Sequence, residues 1–268
     1  MTIAERTLSS MRKSYSRRNA IICAVLCFGV IVGLRGFGTT VWAQQEWEPT
    51  IRGFEQQDKS HRISPGEVVF TGSSSIAYWS SLVDDMKPLT VINRGFGGSE
   101  YSDVNYYADR IVVAYRPGAV VVYAGDNDLA GGGRKTAEGV AQDVQQFVRL
   151  VHGKLPETWV FVVSIKPSIA RWKRWPEMER ANHLIQGLLR TEDHAGYIDV
   201  ATPMLGPGGR PSPDLFVSDG LHPSAKCYAM WTSIIKPILL QHVAPSRSSM
   251  SAPVDPGSKT ATVGARTQ

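Results

Sequence analysis

The chain has 268 residues, 43% of them hydrophobic and 20% charged, which is typical of a soluble globular protein and enough for one sizeable core. Its formal charge of +5 comes entirely from residues 1–43, where Arg6, Arg12, Lys13, Arg17, Arg18 and Arg35 face the single acid Glu5. The remainder is neutral, so the basic pI gives no electrostatic case for a nucleic-acid partner.

Basic residues at 12–18 precede an apolar run over 20–34, shorter than the roughly 20 residues a spanning helix needs. Val41 and Ala43 then fit an A-x-A-like processing site. This pattern predicts a secretory signal peptide over 1–43, Gln44 as the new N-terminus, and an exported, periplasmic or secreted protein. The competing reading is an uncleaved anchor, because Arg35 and Gly36 interrupt the path to the site; any membrane association would then run through the leader. Arg17 and Arg18 lack the phenylalanine-leucine pair that usually follows twin arginines. Cys23 and Cys27 lie in the leader, which leaves Cys227 alone in the mature chain and excludes an internal disulfide there. Cys227 reads as a small core residue within a helix.

Residues 44–243 read as one domain. A short helix is expected over 47–59, ended by Ser64, Pro65 and Gly66. Apolar runs at 67–71, 89–93, 119–123, 159–164 and 197–200 read as strands. Helical spacing of Ala141, Val144, Phe147, Val148 and Val151, and of Ala181, Leu184, Ile185 and Leu188, separates the later runs. Near-continuous apolar strands alternating with helices indicate a parallel sheet covered on both faces. A last helix is expected over 224–241, with Pro237 ending or kinking it. Residues 244–268, rich in Ser, Pro, Thr and Gly, read as a disordered tail.

Four polar or glycine-rich stretches follow strands or lie near the domain's end. Ser74, after the first strand, could be a nucleophile at a helix N-terminus, where free N–H groups favour developing negative charge. The alternative is that Ser73 or Ser74 caps the helix. Asp219 lies three residues before His222, close enough on a turn to reach the imidazole and fix its tautomer. Gly98 could present a backbone N–H and Asn127 a side-chain N–H to an oxyanion. Asn127 and Asp128 could equally form a turn, His222 could be a surface cap, and the glycines at 95, 97 and 98 could serve backbone geometry alone. A phosphate site is disfavoured: the glycine stretch lacks a P-loop lysine and the dinucleotide spacing. No G-x-S-x-G elbow is present.

Taken in order, Gly72-Ser73-Ser74, Asn93-Arg94-Gly95-Phe96-Gly97-Gly98, Gly125-Asp126-Asn127-Asp128 and Asp219-Gly220-Leu221-His222 resemble the four blocks of the SGNH (GDSL) hydrolases. The resemblance spans residues 65–242. It implies a flavodoxin-like three-layer α/β/α sandwich on a five-stranded, mostly parallel sheet. It further implies Ser74 as nucleophile, His222 as base and Asp219 as its partner. The oxyanion hole would comprise the N–H groups of Ser74 and Gly98 and the side chain of Asn127, with no metal or organic cofactor. One departure stands out: Ser73 occupies the place where such families often carry aspartate, which bears on how Ser74 is held.

The expected function is hydrolysis of carboxylic esters, with a small-molecule, glycan or lipid ester as substrate. Residues 166–175 follow the fourth strand and should rim the pocket. Arg171 and Trp172 there could meet an anionic group and a sugar, or form a solvated loop packed on the body. Arg94 could point into the pocket or pair elsewhere. Two other functions share the same fold: a catalytically silent carbohydrate- or envelope-binding domain, and an acyltransferase using the same serine.

Overall fold

The computed structural model of the protein describes residues 46–60, 66–131 and 135–243. The expected leader and tail lie outside the described residues, as do Ser64 and Pro65. The chain divides into two compact units, residues 1–60 and 61–268. In the first, the expected leading helix is α1 (Glu48–Asp58), with Pro49 in its first turn and an Arg52–Glu48 ion pair of 2.8 Å one turn apart.

In the second unit the apolar runs become β1 (Val68–Gly72), β2 (Val91–Gly95), β3 (Ala119–Tyr123), β4 (Trp159–Val163) and β5 (Ala195–Ile198). They form one sheet in the order β2-β1-β3-β4-β5, and every pairing is parallel. That is the flavodoxin-like order. The helices are α2 (Ser74–Ala77), α3 (Leu82–Asp85), α4 (Tyr101–Ile111), α5 (Asp126–Ala130), α6 (Ala137–His152), α7 (Trp175–Leu189) and α8 (Ala225–His242).

Every residue of β1 and β3 is buried, which explains why their apolar sequence is continuous instead of alternating. Side chains still alternate between the faces. Phe70, Val121, Tyr123, Phe161 and Val163 join a cluster with Trp79, Trp231, Ile235 and Leu239, which seats α8. Val69, Val120, Val122, Val160 and Val162 point the other way, toward the layer in which α4 packs on α6 and α6 on α7. α6 buries Val140, Val144, Phe147, Val148 and Val151, and Thr136 caps it by accepting from the Gly139 N–H.

The chain leaves β1 for β2 on one side and then crosses to β3 on the other. Between β1 and β3 the connections diverge, and there a crevice opens at the carboxyl ends of the strands. Ser74 follows β1 and Asn127 follows β3, so sheet topology brings both to that crevice.

Three details depart from the sequence reading. β2 and β5 are offset from the expected runs, because the ladder pairs Gly72 with Gly95 and Val163 with Ile198. Leu89 and Val200 are buried off the ladder, and Ser164 Oγ accepts from the Val200 and Ala201 N–H groups. Pro237 does not end α8, which runs on to His242. The proline removes one helical hydrogen bond, but Ile235 and Leu239 on either side are fully buried, each stabilising by about 1.5–3 kcal/mol. α4 is not placed by the sequence reading; it buries Tyr101, Val104, Tyr107, Ala108 and Ile111 at helical spacing and starts with a Glu100/Asp103 capping box. Among the described residues, no helix is long and apolar enough to cross a membrane.

Candidate active site

Ser74 stands at the first position of a single helical turn. The chain reaches it through Gly72 at φ +121°, where an added Cβ would lie 1.9 Å from the Tyr123 carbonyl oxygen. Only glycine fits there, and it lets β1 turn sharply at the crevice. The Ser73 N–H then donates to the Tyr123 carbonyl at 2.8 Å, and the Phe96 N–H to the Gly72 carbonyl at 2.8 Å. Asn93 closes the turn from the neighbouring strand: its Nδ2 donates to the Ile76 carbonyl at 2.7 Å and its Oδ1 accepts from the Gly95 N–H at 2.9 Å. The Ser73 side chain is buried, forms no cap bond to α2 and has no partner among the described residues. One helical turn carries little macrodipole, so any stabilisation of negative charge here must come from individual N–H groups.

His222 arrives from the far end of the domain. The segment before α8 folds on itself, with the Val217 N–H donating to the His222 carbonyl at 3.0 Å and the Gly220 N–H to the Val217 carbonyl at 3.0 Å. Tyr228 in α8 donates its hydroxyl to the Ser75 carbonyl at 3.0 Å, which ties this end of the chain to the Ser74 turn. His222 Nε2 lies 3.0 Å from Ser74 Oγ, and Nδ1 lies 2.6 Å from Asp219 Oδ2. Asp219 Oδ1 also accepts from the Leu221 and His222 N–H groups at 2.8 and 2.9 Å. The imidazole hydrogen bond, followed by those two N–H groups, holds the Asp219 carboxyl down at about 2. An ionised carboxylate only accepts, so the ring proton belongs on Nδ1 and Nε2 is left to accept from the serine hydroxyl.

The glycine loop lies against the same serine: a Cβ built on Gly97 would be 3.7 Å from Ser74 Cβ. Gly98 has φ +83°. Among the described residues, the N–H groups of Ser74 and Gly98 donate to no backbone carbonyl. Asn127 Nδ2 donates to the Ser99 carbonyl at 3.0 Å, joining this loop to the start of α5. Asn127 Oδ1 accepts from Arg171 Nη2 at 2.9 Å. Behind it, Asp126 Oδ2 lies 3.3 Å from Arg171 Nη1 and 3.0 Å from Lys166 Nζ. Burial pushes the Asp126 carboxyl up, but Lys166 and Arg171 outweigh it and the group lies below its usual range.

A hydroxyl, an imidazole and a carboxylate in a hydrogen-bonded line, with free N–H groups beside the hydroxyl, form an arrangement suited to acyl transfer. The comparison with known families agrees in kind. Residues 53–230 match the model of the GDSL-like Lipase/Acylhydrolase family. The chain belongs to this family. Solved structures share its fold. A GDSL-like lipase from Bacteroides thetaiotaomicron is 19% identical with a TM-score of 0.61, over 71% of this chain and 97% of that one. The lipase/acylhydrolase from Enterococcus faecalis is 19% identical with a TM-score of 0.56, over 68% and 99%. A variant of an acetyl-xylooligosaccharide esterase from Geobacillus Stearmophilus is 15% identical with a TM-score of 0.52, over 68% and 96%. No curated protein matches the sequence.

Within this GDSL-like framework, the expected substrate contacts need correction. Arg94 is buried and its guanidinium is engaged elsewhere: Nε donates to the Tyr115 hydroxyl at 2.7 Å and Nη1 to the Asn93 carbonyl at 2.8 Å. Arg171 is turned inward onto Asn127 and Asp126 instead of standing free for an anionic group. Trp172 stacks on Trp175 with ring centroids 6.3 Å apart, and Arg210 lies over its ring at 5.4 Å. The stacking energy and the desolvation cost of Arg171 are met within the protein.

Asn93, Asp126 and Lys166 escaped the sequence reading as supports of the site. Lys166 had a signal: a lysine three residues beyond the end of apolar strand β4, and it is only 1% exposed in the fold. Asp126 shares the Gly125–Asp128 stretch, but sequence spacing does not reveal that its partners lie forty residues away. Cys227 is buried in α8, and burial pushes its thiol up to about 12. Among the described residues, no group of three or more His, Cys, Asp or Glu side chains could hold a metal ion.

Proposed function

We propose that this GDSL-like protein is an exported serine esterase that hydrolyses carboxylic esters through an acyl-enzyme. One observation carries the reading: Ser74 Oγ, His222 and Asp219 stand in line at 3.0 and 2.6 Å. His222 Nε2 takes the Ser74 proton as Oγ bonds to the ester carbonyl carbon. The electron pair moves to the carbonyl oxygen, which the N–H groups of Ser74, Gly98 and Asn127 receive. Each such donor contributes roughly 3 kcal/mol in the transition state. The bond to the leaving alcohol then breaks and His222 returns its proton to that alcohol. Water repeats the sequence: His222 takes its proton, hydroxide adds to the acyl carbon, and Ser74 leaves with the proton restored.

The substrate class is a short-chain ester carried on a larger molecule, such as a carbohydrate or a lysophospholipid. Tyr78, 59% exposed, sets its ring 5.0 Å from that of His222, and Ile169 and Val217 are exposed on the neighbouring turns. Esterase names among the structural neighbours, including one acting on an acetylated xylooligosaccharide, agree with a short acyl group. Export rests on the basic and apolar pattern of residues 1–43 and is checked by sequencing the mature N-terminus, expected at Gln44. A fluorophosphonate probe should label Ser74, and p-nitrophenyl acetate should be hydrolysed. Undiminished turnover by a folded Ser74→Ala variant rejects the proposal.

A further inference from the structure

Asn127 carries a primary amide with one acceptor and two donors. Arg171 Nη2 donates to its oxygen at 2.9 Å, and one N–H is given to the Ser99 carbonyl at 3.0 Å. A guanidinium only donates and a carbonyl only accepts, so the two partners together fix which end of the amide is nitrogen. The second N–H remains uncommitted. Arg171 is in turn held by Asp126, whose Oδ2 also receives Lys166 Nζ at 3.0 Å. Lys166 is buried and donates to the Tyr123 hydroxyl at 3.1 Å as well. Two cations against one carboxylate leave a net positive charge behind the amide. Hydrogen bonding to the amide oxygen polarises the group and strengthens its N–H as a donor.

From this geometry we infer that Arg171 is a positioning residue: backed by Asp126 and Lys166, it locks the Asn127 amide with one N–H free for the oxyanion and makes that N–H a stronger donor. This rests on the esterase reading for its kinetic consequence, but the locking of the amide stands apart from it. It also reassigns the basic loop after β4. The arginine there serves the reaction from behind Asn127, and its charge does not select the substrate. Specificity for an anionic ester therefore does not depend on Arg171.

The test compares wild type with Arg171→Gln and Arg171→Lys, alone and combined with Asn127→Ala, on the uncharged ester p-nitrophenyl acetate. Arg171→Gln should lower kcat by about 10- to 100-fold, short of the 10²–10³ typical for loss of an oxyanion donor, with KM nearly unchanged. Arg171→Lys, which keeps one donor, should recover part of the loss. In the Asn127→Ala background Arg171→Gln should change kcat little, because the group it orients is gone. An undiminished kcat, a rise in KM alone, or the same fold loss in both backgrounds overturns the inference. A second readout needs no turnover. In ¹⁵N-labelled protein the Asn127 side-chain amide should give a protected proton pair that shifts and exchanges faster in Arg171→Gln. If wild type neither reacts with fluorophosphonate nor cleaves the ester, the esterase reading falls and this signal alone judges Arg171: an amide pair identical in both proteins sinks it.

Discussion

Two polar assemblies meet at the crevice, and they are built in opposite ways. Asp219 and His222 are three residues apart on one turn, and Asp219 is half exposed. Asn127, Asp126, Arg171 and Lys166 come from two segments forty residues apart, and Asp126 and Lys166 are buried. The first assembly can form from local geometry, with Gly220 at φ +66° turning the chain so that the carboxylate caps the following N–H groups. The second exists only once β3 and β4 lie side by side, which brings the ends of both strands to the same place. The local pair therefore tolerates water, whereas Asp126 and Lys166, both buried, depend on each other as partners.

The largest effect should come from the serine that joins the local pair. Ser74→Ala should reduce ester turnover on the order of 10⁴-fold or more while leaving the melting temperature close to that of wild type. Breaking the distant set should act on stability instead. Lys166→Met leaves Asp126 with half its pairing inside the protein and should cost about 3–5 kcal/mol in urea unfolding. A cost near zero would mean that water already reaches Asp126.

Asn127→Ala probes the point where the two assemblies cooperate and should lower kcat by about 10²–10³ with the fold intact. The smallest effect concerns Asp219. Its carboxyl is held at about 2 against an ordinary 3.8, so its contribution to stability is present above the ordinary value and lost as pH falls through about 2. The stability gap between wild type and Asp219→Asn should therefore narrow on going from about pH 5 to about pH 2, and half-exposure should keep it under about 1 kcal/mol. Circular dichroism melts across that range check the sign. A gap that widened toward acid would contradict the hydrogen bonding described for Asp219.

The same contrast governs how much could be read before the fold was known. Strand runs such as residues 119–123 are legible because burial on both faces writes itself as the unbroken apolar run Ala119-Val120-Val121-Val122-Tyr123. Asp219 and His222 are legible because their spacing alone lets them touch. α4 was less legible, because its buried face mixes Val104, Ala108 and Ile111 with Tyr101, Tyr107 and the polar Asn105, which dilutes the apolar period. Arg94 and Arg171 were readable as cations near glycine and aromatic residues, but not in direction. Arginine is long enough to reach inward to Tyr115 or Asn127, or outward to solvent, and the sequence does not choose.

What the sequence determined by itself was local: where the chain is apolar on both faces, where only glycine can turn it, and which carboxylate sits one turn from which imidazole. The tertiary structure alone decided that Ser74 and His222, 148 residues apart, share a hydrogen bond, and that Lys166, Asp126 and Arg171 stand behind Asn127. Periodicity and spacing act over a few residues of chain. The strand order and the seating of α8 set which distant ends meet, and buried charges accept only the partners that this order supplies.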